Sequence, residues 1–79
     1  MVQIEKDFII SNLKQFMDPE RSASILAEVI EKTNISDKVN FSLNEAKIIS
    51  QTLIDKGGFA EFVGHSLLIK VNTLKMLNE

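Results

Sequence analysis

The sequence predicts a small α+β domain with two N-terminal helices, a possible short strand, a third helix and a C-terminal β-hairpin. Three observations lead to this fold class. Apolar residues recur at helical spacing in the first two thirds of the chain, and an Asp-Pro pair and a Gly-Gly pair interrupt them. Residues 59–71 instead combine aromatic and β-branched residues around a central glycine. With 79 residues, we expect residues 1–79 to form a single small domain.

The first helix is predicted over residues 3–17, with Leu13 and Phe16 on its core side. Its apolar residues cover more than half of the circumference, and Ile4 and Phe8 lie at one margin. A helix on a one-sided core needs an apolar stripe only somewhat wider than about 100°. The surplus predicts that this helix is covered on two sides.

The second helix is predicted to begin after Asp18 and to end near Thr33. The residue before a proline is disfavoured in the α region, so Pro19 ends the first helix. Asp18 can then cap the next helix, Pro19 can occupy its first position, and Glu20 complements the helix dipole.

A short strand over Lys38–Phe41 and a third helix ending near Lys56 are predicted next. The segment before the helix alternates polar and apolar residues. Ser42 and Glu45 have the spacing of a capping box, which predicts the start of the helix. Gly57-Gly58 is a C-cap signal rather than a phosphate-binding loop, because the spacing of a P-loop is absent.

Residues 59–71 decide the fold class, and a hairpin is the preferred interpretation. Segments 59–63 and 66–71 are rich in strand-forming residues, and Gly64-His65 suits a type II′ turn. The predicted core, with the hairpin included, consists of Leu13, Phe16, Leu26, Val29, Ile30, Phe41, Ile49, Leu53, Phe59, Leu67, Ile69 and Val71.

The alternative is an all-α four-helix bundle with a last helix over about 59–77. This helix would place Gly64 in its interior, where glycine costs about 0.5–1 kcal/mol relative to alanine. It would also leave Phe62, Leu68 and Ile69 off the apolar stripe.

The composition argues against an enzyme and against a metal or other cofactor. The chain has no cysteine, which excludes thiolate chemistry and cysteine-zinc sites. Its one histidine, His65, is best interpreted as an exposed turn residue, and the carboxylates form no evident catalytic pair. We therefore expect no catalytic residue, no cofactor and no metal.

The apolar surplus predicts a protein–protein interaction module. Candidate interface residues are the apolar side chains that the predicted helices and hairpin do not bury, namely Ile4, Phe8, Ile48, Phe62 and Leu68. A small adaptor, inhibitor or regulatory subunit that forms a homodimer is the expected function, since association also stabilises so small a domain. Without a signal peptide or an apolar run long enough to span a bilayer, a cytoplasmic location and no membrane partner are expected.

A winged-helix-like nucleic-acid-binding regulator is the alternative function. The predicted element order is that of a winged-helix domain, whose third helix enters the major groove. That helix would expose Asn44, Lys47, Ile48 and Gln51, but Asp55 lies on the same side. The net charge of −2 and the dispersed lysines make a nucleic-acid partner the less favoured one.

Overall fold

A computed structural model describes residues 2–78 of the chain. In chain order these residues form β1 (Gln3–Glu5), α1 (Lys6–Lys14), α2 (Pro19–Thr33), β2 (Asn40–Ser42), α3 (Leu43–Lys56) and α4 (Gly58–Leu77). The protein is therefore mostly helical, and the two strands of the described residues form one small antiparallel sheet.

The predicted C-terminal hairpin is wrong, because residues 58–77 form the single helix α4. Gly64 lies inside this helix, where a β-carbon would be 2.7 Å from the backbone carbonyl oxygen of Ser50 in α3. Close packing of two helices therefore explains a glycine that the sequence pattern assigned to a turn. The last helix of the four-helix alternative is confirmed, although that alternative did not include a sheet.

The sheet pairs the start of the chain with the segment before α3. Ile4 is opposite Phe41 in the antiparallel register. The first helix, predicted from residue 3, begins only at Lys6, whose amide donates to the Val39 carbonyl over 2.8 Å. The second strand lies at 40–42, slightly later than predicted. Each strand has three residues, too few for a period of two to be evident in the sequence.

The predicted helix caps are present. The carboxylate of Asp18 accepts a backbone N–H of the first turn of α2, and Asn34 ends that helix with a positive φ of 59°. Ser42 and Glu45 form both hydrogen bonds of a capping box at the start of α3. Gly57, with a φ of 75°, is the C-cap of α3 and connects it to α4.

Three predicted core residues are exposed instead. Phe16 is 43% exposed, Phe59 is 58% exposed and Ile69 is 68% exposed. All three predictions depended on the length of the first helix or on the hairpin, and the shorter α1 and the helical α4 direct these side chains outward. The other predicted core residues are buried, together with Ile4, Ile9, Ala46, Ala60 and Val63, which the predicted core did not contain.

Candidate functional site

Three phenylalanine rings form an exposed cluster where α1 ends and α4 begins. The ring of Phe16 stacks on that of Phe59, with centroids 5.5 Å apart and planes inclined by 17°. It also stacks on Phe62, at 6.5 Å and 25°. Phe62 is 64% exposed, so the rings pack on one another while much of their surface stays in contact with water. This aromatic cluster is an exposed apolar feature at the N-terminal end of α4.

Local structure explains why the three rings meet. Phe59 and Phe62 are three residues apart near the start of α4, so they lie on the same side of the helix. Phe16 follows the last turn of α1, and its amide donates to the carbonyl of Leu13 over 3.0 Å. Leu13 is fully buried, so this hydrogen bond keeps the backbone of Phe16 close to the core.

The exposed side of α4 continues the aromatic cluster along the whole helix. Six exposed residues of α4 are separated alternately by three and by four positions. This spacing places them on one side of a helix, as in the a and d positions of a coiled coil. We name this set the α4 stripe; it comprises Phe59, Phe62, Ser66, Ile69, Thr73 and Met76.

The buried side of α4 is also apolar. Ala60, Val63, Leu67 and Val71 face the core. Helix α4 therefore has two apolar sides, of which only one is covered within the described chain. This arrangement explains why residues such as Phe62 and Ile69 do not fit a single apolar stripe in the sequence.

A cleft of about 500 Å³ lies beside the aromatic cluster. Phe16, Phe59 and Ile25 contribute apolar surface to its lining, and Arg21 and Lys56 contribute the cationic side chains. The Lys56 ammonium lies 3.0 Å from a Glu28 carboxylate oxygen. Arg21 makes no ion pair with any residue between 2 and 78. The cleft thus extends the apolar surface, and Asp18 adds a carboxylate to the charged part of its lining.

The five predicted interface residues do not form one surface. Ile4 is buried in the sheet opposite Phe41, so that prediction is wrong: its side chain is not available to a partner. Phe62 belongs to the aromatic cluster. Leu68 is half-buried on α4. Ile48 is exposed on α3, on the side away from the buried residues of that helix.

Phe8 is partly exposed on α1 and is close to the C-terminal half of α4. The Lys70 ammonium lies 5.5 Å from the centre of its ring, within the range of a cation–π contact. Phe16, by contrast, contacts the N-terminal half of α4. The two phenylalanines show that α1 runs antiparallel to α4, with partly exposed rings at both ends.

Phe16, Phe59, Ile69 and Met76 are surface residues that the sequence interpretation did not propose as an interface. The spacing of the α4 stripe is present in the sequence, and it would have indicated the surface. The preferred hairpin gives this period no meaning, and the alternative helix leaves Phe62 and Ile69 off its single apolar stripe.

Candidate chemistry is sparse in the described chain. His65 is exposed, but it lies within α4 rather than in a turn, and its Nε2 atom is 3.8 Å from a carboxylate oxygen of Glu61. Between residues 2 and 78, no group of three His, Cys, Asp or Glu side chains is arranged to hold a metal ion.

Two lysines near the sheet pair with carboxylates. The Lys6 and Lys38 ammoniums lie 2.7 Å from carboxylate oxygens of Asp37 and Glu45, respectively. The hydrogen bond from Lys38, and then the one from the Ser42 amide, holds the pKa of the Glu45 carboxyl below its ordinary value. These lysines are thus partly neutralised by local carboxylates.

The winged-helix interpretation loses the element on which it depended. A wing requires a hairpin after the third helix, and the structure has α4 there. Within residues 2–78, no helix has the length and apolarity that crossing a bilayer requires.

Comparisons with protein-family models, curated proteins and solved structures found no match to this chain. The functional interpretation therefore rests on the surface described above.

Proposed function

We propose that the protein is a non-enzymatic interaction module that associates with a second copy of itself through the aromatic cluster and the α4 stripe. The observation that carries this proposal is the exposed stack of Phe16, Phe59 and Phe62. Burying one phenylalanine side chain is worth about 1.5–3 kcal/mol. A partner that covers the rings would gain much of this free energy.

The size of the apolar surface supports association. A large side chain has about 150–250 Å² to bury. With the exposed fractions of the three rings, Ile69 and Met76, the exposed apolar area is roughly 600 Å². The largest apolar patch on a typical monomer is about 300–600 Å². A standard interface buries about 800 Å² on each partner. The surface is therefore at the upper limit for a monomer and close to what one side of an interface needs.

The small size of the protein supports the same proposal. A single core in a chain below about 70–80 residues supplies no more than about 3–5 kcal/mol, and this chain has 79 residues and no disulfide. Association adds stability by mass action. The role that we propose is that of a small regulatory or adaptor protein in the cytoplasm. A chain without cysteine has no disulfide that the reducing conditions there would break.

Sedimentation velocity over a wide range of concentration tests the proposal. We expect the wild-type chain to sediment as a dimer and Phe62→Glu to sediment as a monomer, because a charge on the most exposed ring of the cluster opposes its burial. Ile48→Glu is the matched control: it places the same charge on an exposed apolar residue of α3, and we expect it to remain a dimer. Circular dichroism checks that both variants keep the helical content of the wild type.

Two results would overturn the proposal. One is a wild-type chain that remains monomeric at every concentration. The other is a dimer that Ile48→Glu dissociates and Phe62→Glu does not, which would locate the interface on α3.

A further inference from the structure

We infer that two copies of the chain pair through their α4 stripes in antiparallel orientation, about a two-fold axis between residues 67 and 68. This inference rests on the proposed function and specifies its geometry. It follows from three features of α4. These are the order of large and small side chains along the stripe, the residues exposed at its two ends, and the order of its charges.

The first argument is the order of side-chain sizes along the α4 stripe. Reversing one helix about the midpoint of the stripe brings each stripe residue opposite a different one. The resulting pairs are Phe59 with Met76, Phe62 with Thr73, and Ser66 with Ile69. Two of the three pairs thus combine a bulky side chain with a small one, and such alternation lets facing layers interdigitate at ordinary packing density.

A parallel pair has the opposite property. It would place Phe62 against Phe62, Ser66 against Ser66 and Ile69 against Ile69. Large side chains would then crowd one another, while neighbouring layers of serine or threonine would leave gaps. Overpacking and cavities each cost free energy, so the antiparallel pair is the better packed.

The second argument comes from the two ends of α4. Its N-terminal end carries the aromatic cluster, which Phe16 widens. Its C-terminal end carries Met76 and Leu77, each 77% exposed. Only an antiparallel pair brings Met76 of one copy over the rings of the other, where thioether–aromatic contacts are favourable.

The third argument is the charge order of the helix. Glu61 lies in the first half of α4 and Lys70 in the second half, whereas the Lys75 ammonium donates to the side chain of Asn44 in α3. Antiparallel pairing places the acidic half beside the basic half of the second copy and opposes the helix dipoles. Parallel pairing would align like charges.

The length of the helix is sufficient for such an interface. The 20 residues of α4 span about 30 Å. The stripe covers nearly this whole length, and Phe16 adds width at one end. The two-fold symmetry repeats this width at the other end, which is the arrangement of a self-complementary interface.

Disulfide trapping tests the orientation, since the natural chain has no cysteine. We expect a mixture of the single variants Phe62→Cys and Thr73→Cys to form a disulfide-linked dimer on mild oxidation. Each variant alone should not, because antiparallel pairing holds identical positions about 16 Å apart along the axis. A disulfide needs Cα atoms within about 7 Å. Lys47→Cys, on the exposed side of α3, is the matched control and should form no linked dimer with either variant.

A spin-label measurement keeps all aromatic residues in place. A nitroxide on Thr73→Cys should give a distance between the two labels of more than about 16 Å, by the same axial separation. Parallel helices would bring the labels within the helix–helix distance of about 8–10 Å. A short distance, or crosslinking of Thr73→Cys on its own, would overturn the antiparallel pairing.

Failure of the inference and failure of the proposed function are distinguishable. Sedimentation of the uncrosslinked wild-type chain reports only whether two copies associate. A dimer with parallel helices would contradict the inference and leave the proposed function standing. A monomer in sedimentation, together with no crosslinking in the mixture, would contradict both.

Discussion

A β-carbon on Gly64 would lie 2.7 Å from the backbone carbonyl oxygen of Ser50 and 2.8 Å from the backbone nitrogen of Ile54. Helices α3 and α4 therefore approach each other more closely here than any side chain on α4 allows. Ser50 is itself buried, and its hydroxyl donates to the carbonyl of Ala46 over 2.7 Å. The small residues Gly64 and Ser50 thus allow α3 and α4 to pack closely, with the α4 stripe on the outer side of α4.

Gly64→Ala should destabilise the fold. Alanine improves helix propensity by about 0.5–1 kcal/mol, but a clash with backbone atoms cannot be relieved by a rotamer change. Overpacking of this kind costs about 1–3 kcal/mol, so we expect a net loss of free energy of unfolding. Denaturation with urea measures the change. Ser66→Ala, two residues later on the exposed side, is the control. Because Ser66 belongs to the α4 stripe, both changes are made in the Phe62→Glu background, where Ser66→Ala should be neutral or slightly stabilising; a Gly64→Ala variant as stable as this control would contradict the close contact.

Leu53→Ala and Ile69→Ala should differ strongly, although the sequence places both residues in the core. Leu53 is fully buried, and its truncation should cost about 2–5 kcal/mol. Ile69 is exposed, so its truncation in a monomer should change the free energy of unfolding by no more than about 0.5 kcal/mol. Both changes are best measured in the Phe62→Glu background, which separates folding from association. Equal costs would support the hairpin instead of α4.

Asp18→Ala should destabilise α2 by about 0.5–2 kcal/mol through the loss of its N-cap. The carboxylate accepts the Arg21 amide over 2.7 Å. Asp37→Ala removes an exposed carboxylate that only pairs with Lys6, and such pairs contribute about 0–1 kcal/mol. Thermal unfolding of the two variants at the same pH compares them. If Asp37→Ala lowers the melting temperature more than Asp18→Ala does, the cap is not the important interaction.

Glu45→Gln should reduce the dependence of stability on pH. Because the folded state holds the pKa of Glu45 below its ordinary value of 4.5, ionised Glu45 stabilises the fold at neutral pH. This contribution is lost as the pH falls below about 4.5 and through the lowered pKa. The melting temperatures of wild type and Glu45→Gln should thus differ at neutral pH and converge in acid. Glu31→Gln, an exposed change on α2, is the control; a gap that widens in acid would contradict the sign.

The boundaries of α2 and α3 were predictable because their causes are local. The Asp18 cap, the Ser42–Glu45 capping box and the glycine that ends α3 each act within a few residues, so their spacing in the sequence identifies them. The amphipathic pattern of α2 likewise identified Leu26, Val29 and Ile30 as core residues.

The candidate site was predictable only in part, because exposure depends on which residues meet across the fold. Phe62 was proposed as an interface residue and lies in the aromatic cluster, whereas Ile4 was proposed and is buried by a strand partner 37 positions later in the chain. Phe16 and Phe59 were assigned to the core, and nothing local distinguishes an exposed phenylalanine from a buried one. The existence of an apolar surplus was therefore evident, but its location was not.

By itself, the sequence determined where the second and third helices begin and end, and that the apolar residues exceed what a one-sided core needs. The tertiary structure decided that residues 58–77 form a helix and that β1 pairs with β2. The physical reason is that glycine inside a helix costs only about 1 kcal/mol relative to alanine, and close packing of α4 against α3 outweighs this cost. With α4 packed against α3 on its Gly64 side, Phe59, Phe62 and Ile69 lie on the outer surface.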